Sequence, residues 1–138
     1  MSLNKSYILR RIAAAIIDYT IIYLVVLYLS VSFLDTAYNG EISLDQKFFT
    51  LLLGTWFIFT ILLEFTIGYT IGNRLMGIKA IPVNTSTKSL SFSQVLRRRL
   101  LDPIDLFFFG ALGLILIFAT RRHQRLGDLW AKTIVVLV

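Results

Sequence analysis

The hydrophobic positions of the chain fall into two long, nearly uninterrupted runs. Residues 12–33 and 48–69 each form a stretch of 22 residues rich in aliphatic and aromatic side chains. A helix of that length rises about 33 Å, which is enough to cross a hydrocarbon core of roughly 30 Å. Residues 35–47 between them are acidic and contain an Asn39-Gly40 turn. The pattern predicts two full transmembrane helices joined by a short loop.

The polar segment after the second run has structure of its own. Thr70 is placed to cap a short helix that ends at Gly77, because glycine tolerates the left-handed conformation that ends a helix. Residues 78–83 then alternate in polarity and are rich in β-branched side chains, although Pro82 confines such a strand to a sheet edge. We expect a short helix followed by an edge strand.

A further helix is predicted to begin at Ser91, because Ser91 and Gln94 have the spacing of a capping box. It runs to about Leu101, since Pro103 disfavours helical conformation at the residue before it. Three consecutive arginines, residues 97–99, lie within it between hydrophobic neighbours. This pattern predicts an amphipathic helix on the membrane surface, with its arginines on anionic lipid headgroups.

The last hydrophobic block, residues 106–118, is short for a third span. It has 13 residues and contains Gly110 and Gly113, whereas a spanning helix needs about 20. Either residues 103–120 cross the membrane, or the segment forms a re-entrant or short helical hairpin that bends near its glycines. We favour the hairpin because it returns the basic C-terminal residues to the side of the other positive loops.

A hairpin also brings residues 133–138, another β-branched run, beside residues 78–83. The two runs are predicted to pair as a small two-stranded interfacial sheet. The fold class that follows is an all-α membrane protein with two full transmembrane helices, an amphipathic surface helix, a re-entrant or third helical segment, and this sheet. We expect residues 1–138 to form a single domain.

Composition agrees with a lipid environment. Of the 138 residues, 57% are hydrophobic and 16% are charged, an excess of hydrophobic residues that a water-soluble core of this size does not absorb. The net charge is +6, and lysine and arginine concentrate before the first run and in residues 68–102. By the positive-inside rule, both of these regions are cytoplasmic. We therefore expect a multi-pass protein of the cell membrane with a cytoplasmic N-terminus and C-terminus.

Catalytic and metal-binding patterns are missing from the sequence. It has no cysteine and a single histidine, His123, which excludes disulfides, thiol catalysis and histidine-rich metal sites. It also has no HExxH motif and no glycine-rich phosphate loop in a suitable context. We expect no enzyme activity, no cofactor and no metal. A nucleic-acid partner is not expected either, because the basic residues flank hydrophobic runs.

Each hydrophobic run contains one acid that is costly to place in lipid. Asp18 and Glu64 lie at similar depth toward the cytoplasmic side of the predicted spans, and a charge near the bilayer centre costs at least about 2.5 kcal/mol. Arg11 lies about two turns before Asp18 on nearly the same helix face, so the two are predicted to interact. Further candidate charge partners are Arg74, the triplet Arg97, Arg98 and Arg99, and Arg125.

Besides a Glu64 that snorkels toward water with no specific role, two interpretations of these charges remain open. In the first, the carboxylates and arginines are structural salt bridges that tie the two spans to the surface elements. In the second, Asp18 and Glu64 form a cation or proton site. That site needs at least one carboxylate free of a close guanidinium, because a nearby positive charge favours the ionised form and opposes proton exchange.

Three stretches of the chain form a recognisable set. They are RIAAAIID at residues 11–18, GYTIGNRLMGIK at residues 68–79 and QRLGD at residues 124–128. Together they resemble the RDD family of small membrane proteins, named for an arginine and two aspartates. Asn73 stands where the family usually has lysine, and Lys132 stands where glycine is common. The resemblance covers nearly the whole chain.

The resemblance implies three signature residues, Arg11, Asp18 and Asp128. It also implies that Arg98 and Asp105 repeat the spacing of the first arginine and aspartate. For activity it implies only that some members are linked to sodium/proton exchange. The leading hypothesis is a transport-associated protein, with cation/proton exchange at Asp18 and Glu64, acting as an oligomer or with another membrane protein. The alternative is a non-transporting membrane assembly or scaffold component.

Overall fold

The structure is a computed structural model that describes residues 5–32, 44–83, 89–107, 111–120 and 123–138. Within these ranges, the side chains of residues 5, 44, 105–107 and 111–114 lie outside the description. The predicted loop of residues 35–47 falls largely in the gap between the first two ranges. The polar turn of residues 84–88 also lies outside the described residues.

Two long hydrophobic helices dominate the described part of the chain. The first, α1, runs without interruption over Lys5–Ser32. The second consists of α2 (Leu44–Trp56), a π-helical segment (Phe57–Leu62) and α3 (Leu63–Thr66). Both are long and apolar enough to cross a membrane, and only 22% of the most hydrophobic window of each is buried within the protein. Such exposed hydrophobic surfaces fit lipid contact, so the two predicted spans are confirmed.

The π-helical segment changes which side chains of the second helix point inward. Each of its turns contains one residue more than an α-helical turn, so α3 is rotated relative to a continuous α-helix. Thr60 lies in this segment, is buried, and donates a hydrogen bond to the carbonyl of Trp56 at 2.7 Å. Glu64 follows at the start of α3 and is also buried. The irregular turn therefore precedes the one buried charge of this helix.

A short helix and a strand follow the second span as predicted. Helix α4 (Ile71–Leu75) begins at Thr70, whose side chain accepts a hydrogen bond from the Asn73 backbone at 3.3 Å. The chain turns at Gly77, where φ is +63°, a conformation that glycine adopts without steric cost. Strand β1 (Ile78–Pro82) comes next.

The predicted two-stranded sheet is also confirmed. Strand β2 (Thr133–Leu137) pairs antiparallel with β1, with Ile78 opposite Leu137 and Pro82 opposite Thr133. Its inner face carries Ile78, Ala80 and Val135, which pack with Ala14 of α1 as a small hydrophobic core. The first half of α1, the segment after the second span and residues 133–137 therefore lie together, at one end of the two long helices.

The remaining elements are short helices. Helix α5 (Phe92–Leu100) starts with the predicted capping box, in which the Ser91 hydroxyl accepts from the Gln94 backbone at 3.3 Å. The other three are α6 (Asp102–Phe107), α7 (Ala111–Ala119) and α8 (Leu126–Ala131). Helix α5 packs against α8, and α6 packs against α7.

The last hydrophobic block contains the end of α6 and most of α7, and residues 108–110 between these two helices lie outside the described residues. The predicted bend near Gly110 to Gly113 therefore falls partly on a residue outside the described ranges and partly on the first residues of α7. The pairing of β2 with β1 places the C-terminal strand on the same side as the segment after the second span, as the hairpin alternative predicts.

Substitution of Gly72 tests whether α4 requires close backbone contact with α1. A β-carbon at Gly72 would overlap the backbone carbonyl of Ala14, whereas one at Gly54, in α2, would meet nothing within 4 Å. Gly72→Ala is therefore expected to lower the free energy of unfolding by about 2–3 kcal/mol, because backbone overlap leaves no flexible side chain to yield. Equilibrium unfolding in detergent micelles, followed by circular dichroism, measures the change.

Gly54→Ala is the matched control. Since this substitution adds a methyl group in open space within a helix, it is expected to be neutral or to stabilise by up to about 1 kcal/mol. Equal losses in both variants would show that α4 does not depend on close backbone approach to α1.

Candidate functional site

A cluster of buried charges lies where the short helices meet the two spans. We call it the charge cluster, and it has seven members: Arg11, Glu64, Arg98, Arg99, Asp102, Arg125 and Asp128. They come from α1, α3, α5, α6 and α8 and from the residue just before α8. All but Arg125 have side chains that are at most 6% exposed. The cluster therefore joins elements that are far apart in the sequence.

Asp128 lies at the centre of the cluster and has no exposed surface. One carboxylate oxygen is 2.6 Å from Nη2 of Arg11, and the other accepts from Nε of Arg98 at 2.9 Å. The first oxygen also accepts from the backbone N–H of Arg125 at 3.1 Å. Asp128 thus caps the first turn of α8, where a negative charge is favourable, and pairs with two arginines.

The pKa of Asp128 is held below the ordinary aspartate range. Burial alone would raise this pKa, but the positive charges of Arg98, Arg11 and Arg125 more than offset that effect. Asp128 is therefore ionised at neutral pH.

Glu64 connects the second span to α5. One of its oxygens accepts from Nη1 of Arg98 at 2.5 Å, and the other accepts from Nε and Nη2 of Arg99 at 2.8 and 2.7 Å. Neighbouring arginines of one short helix thus neutralise the single acid of α3. Arg98 also bonds Asp128, so its guanidinium bridges the two most buried carboxylates.

Asp102 extends the cluster back to the first span. It is 3.1 Å from Nη1 of Arg99 and 3.5 Å from Nη2 of Arg125. The Tyr19 hydroxyl of α1 also donates to Asp102 at 3.1 Å. Burial alone would lower the pKa of Arg99, but the negative charges of Glu64 and Asp102 raise it above its usual range. Arg99 therefore keeps its positive charge.

The predicted interaction between Arg11 and Asp18 is wrong. Arg11 pairs with Asp128, while Asp18 accepts a hydrogen bond from the backbone N–H of Gly72 at 2.7 Å. The two side chains share a helix face but lie about 10 Å apart along the axis. Each is therefore closer to groups of other elements than to the other.

Asp18 differs from the other buried acids in its partners. The ion pairs between described residues include Glu64, Asp102 and Asp128 but not Asp18. Its carboxylate still lies close enough to Arg99 and Glu64 to sense both charges. The cluster contains four arginines and three acids, so its own groups leave one positive charge unmatched.

The remaining candidate charge partners are dispersed. Arg74 is exposed and lies over the ring of Tyr69, 5.1 Å from its centroid. Arg97 is exposed, whereas Arg98 and Arg99 face the protein interior. The expectation that the whole triplet contacts lipid headgroups is therefore wrong for two of its three arginines. Asp105 lies in α6, but its side chain is outside the described part of the chain.

One participant, Asp102, was not singled out from the sequence. Asp128 was expected as a signature residue from the family resemblance, but not as the partner of Arg11. A local signal existed for Asp102, since it lies three residues after Arg99, a spacing that brings side chains together on helical backbone. No local signal connects Arg11 with Asp128, which are 117 residues apart.

Chemically, the charge cluster is suited to holding elements together. Nearly all of its carboxylate oxygens accept from or face guanidinium groups, and charge-assisted bonds of this kind are the strong ones. Groups of three or more potential metal ligands are not found among the described residues. All three acids of the cluster are neutralised by arginines within it, which favours rigidity over exchange of a ligand.

Comparison with known proteins gives one match. The family model described as RDD family matches residues 6–132, a range that contains the whole charge cluster. No curated protein and no solved structure matches the chain.

Double-mutant cycles test the pairing in the cluster. Asp128→Asn is expected to lower the free energy of unfolding by about 3–5 kcal/mol, because it leaves two buried guanidiniums poorly compensated. Combined with Arg11→Gln, the total loss should fall short of the sum by at least about 1 kcal/mol. Unfolding of each variant in detergent gives the coupling energy.

Arg11→Gln with Asp18→Asn is the control cycle. Since these residues do not touch, their effects should add to within about 0.5 kcal/mol. Strong coupling between Arg11 and Asp18, together with additivity between Arg11 and Asp128, would contradict the observed pairing.

Acidification provides an independent test of Asp128. When the pKa of a carboxyl group is lower in the folded than in the unfolded state, its ionised form stabilises the protein. The contribution is complete above the unfolded-state pKa of about 4 and is lost as the pH falls through the folded-state pKa. The Tm difference between wild type and Asp128→Asn should therefore stay constant from pH 8 to 5 and shrink below pH 4. Asp45→Asn, which changes an exposed acid, is the control. Its free energy of unfolding should fall by less than about 1 kcal/mol at every pH, so its Tm should stay close to that of wild type. A difference that vanishes by pH 6 would contradict the assignment.

Proposed function

The chain belongs to the RDD family. We propose that this membrane protein is an assembly or scaffold component whose buried charges hold its own fold together. The observation that carries the proposal is the double pairing of Glu64 and Asp128, each bonded to two guanidinium groups. An exchanging carboxylate has to release one cation and take up another. A carboxylate fixed between two arginines is already neutralised by groups that stay in place.

The structure of the cluster supports this proposal in a second way. Removing a partner from a buried ion pair is strongly destabilising, because the remaining charge is left uncompensated. A transport cycle that opened Glu64 to a cation would have to separate it from both Arg98 and Arg99. The same step would disturb Asp128, since Arg98 bonds both acids.

The proposed partner is a second copy of the chain or another membrane protein. Large hydrophobic side chains on the outer surfaces of both spans, among them Tyr23, Phe49 and Ile58, are at least half exposed. These surfaces support contacts within the bilayer, where helices associate through packing. The proposed location is the cell membrane, with the N-terminus and the charge cluster toward the cytoplasm by the positive-inside rule.

Cation/proton exchange remains a second candidate because of one observation at Asp18. This buried carboxylate accepts hydrogen bonds from the Gly72 backbone and the Thr70 side chain and forms no ion pair with a described residue. No guanidinium is bonded to it, although Arg99 acts on its charge from nearby, so of the two acids it comes closer to the requirement that one carboxylate of an exchange site be free of a guanidinium. Glu64 does not meet it, so exchange in this protein would depend on Asp18 alone.

Flux across liposomes containing purified protein separates the two candidates. A proton-sensitive dye inside the vesicles reports exchange when Na⁺, K⁺ or Li⁺ is added outside. The scaffold proposal predicts no signal above protein-free liposomes, and an added ionophore verifies that the assay detects exchange.

Two variants define the opposite outcome. Cation-dependent proton flux that is present in wild type, lost in Asp18→Asn and retained in an equally well folded Tyr23→Phe control would replace the scaffold proposal with exchange at Asp18. The assembly itself is checked by the mass of the protein in native nanodiscs, where more than one copy or a bound partner is expected.

A further inference from the structure

Three basic side chains that do not belong to the charge cluster lie near the end of the second span. The guanidinium of Arg74 and the ammonium of Lys79 lie 5.1 and 4.9 Å from the ring centroid of Tyr69. Such placement allows a cation–π attraction to each of them. We call Tyr69, Arg74 and Lys79 the Tyr69 platform. Both cations therefore lie against the same ring, and their charged groups are at most about 10 Å apart.

A third positive charge lies beside the platform. The exposed Arg10 of α1 donates from Nη1 to the carbonyl of Met76 at 3.0 Å. This carbonyl lies in the turn between Arg74 and Lys79. Arg10 therefore adds to the positive potential of the same turn.

Within the described ranges, these cations lack the acidic partners that neutralise the arginines of the charge cluster. Among the described residues, the ion pairs include none of Arg10, Arg74 and Lys79. Their hydrogen bond and ring contacts use neutral groups. Like charges held together without a counter-charge repel one another, and an anion relieves that repulsion.

The position of the platform relative to the spans indicates where that anion comes from. Tyr69 lies three residues after Thr66, the last residue of α3, and tyrosine is enriched at the boundary between lipid and water. Ile67 and Leu75 beside it are both 63% exposed. Exposed apolar side chains interleaved with cations match the layer where acyl chains meet headgroups.

We propose that the Tyr69 platform binds the phosphate of an anionic phospholipid headgroup. Arg74 supplies a planar fork of donors that suits phosphate oxygens, and Lys79 supplies a compact point charge. The Tyr69 ring holds both in place, which reduces the side-chain entropy lost on binding. The uncompensated positive charge favours phosphatidylglycerol over zwitterionic phosphatidylcholine.

The sequence pattern predicted that residues 97–99 contact lipid headgroups, whereas this proposal assigns the headgroup contact to the Tyr69 platform. Two of those arginines are used inside the protein, where they are not available to lipid. The platform instead offers an exposed arginine and a half-buried lysine at the end of a span. It is independent of the proposed function, since neither Arg74 nor Lys79 belongs to the charge cluster.

Native mass spectrometry of the full chain, titrated with phosphatidylglycerol or phosphatidylcholine in detergent, tests the proposal. Wild type is expected to retain phosphatidylglycerol more tightly. The Arg74→Gln, Lys79→Gln variant is expected to lose at least about tenfold in that affinity. The matched control, Arg97→Gln with Lys132→Gln, removes two exposed charges elsewhere and should change it less than about twofold.

Tyr69 provides a test that does not alter the net charge. Tyr69→Phe keeps the ring and should preserve phosphatidylglycerol binding, whereas Tyr69→Leu removes the surface that orders the cations and should weaken it about threefold. Circular dichroism confirms that each variant is folded. If the double variant fails to fold, Lys79→Gln alone carries the same test with a smaller expected loss.

Three results would overturn the proposal. Equal losses in the platform variant and its control would show that binding follows overall charge. Equal retention of both lipids by wild type would exclude selection for an anionic headgroup. Displacement of the bound lipid by millimolar inorganic phosphate would assign the platform to a soluble anion.

Discussion

The burial of Asp128 is the constraint on which the rest of the structure depends. A carboxylate with no exposed surface has to be neutralised by groups that remain beside it. Arg11 reaches it from the first span and Arg98 from α5. Arg98 then binds Glu64 of the second span. Fixing one acid therefore fixes the relative positions of both spans and two short helices.

Close backbone contact makes this network possible. A β-carbon at Gly127 would overlap the backbone carbonyl of Arg98, so α8 approaches α5 more closely than a larger residue would allow. That short distance lets Nε of Arg98 reach Asp128, the residue after Gly127, at 2.9 Å. Gly72 has the same role between α4 and α1, where its N–H meets Asp18. The two glycines set the distances across which the charges interact.

Local sequence patterns predicted most of the fold but few of the pairings in the cluster. The spans, the two helix caps and the sheet depend on length, periodicity and capping residues within short windows, so they were readable from the sequence. The cluster depends on contacts between distant elements. Their expected position near the cytoplasmic side and their charge identified Arg98 and Arg125 as candidate partners. The sequence did not show which acid each of them pairs with. For Arg11, a neighbour on the same helix face was chosen because the sequence does not show that Asp128 of α8 lies between Arg11 and Arg98.

The long separation between Arg11 and Asp128 has a consequence for biosynthesis. These residues are 117 positions apart, and at 5–20 residues per second the ribosome needs on the order of ten seconds to pass from one to the other. Both spans and then Arg98 are made within that interval, so by its end Arg11 and Arg98 are both present without their shared carboxylate. The nascent chain thus exposes unpaired charges at the membrane until α8 emerges. Chaperones and membrane proteases act on such intermediates, so the time to complete α8 sets how long the newly made protein is vulnerable to them.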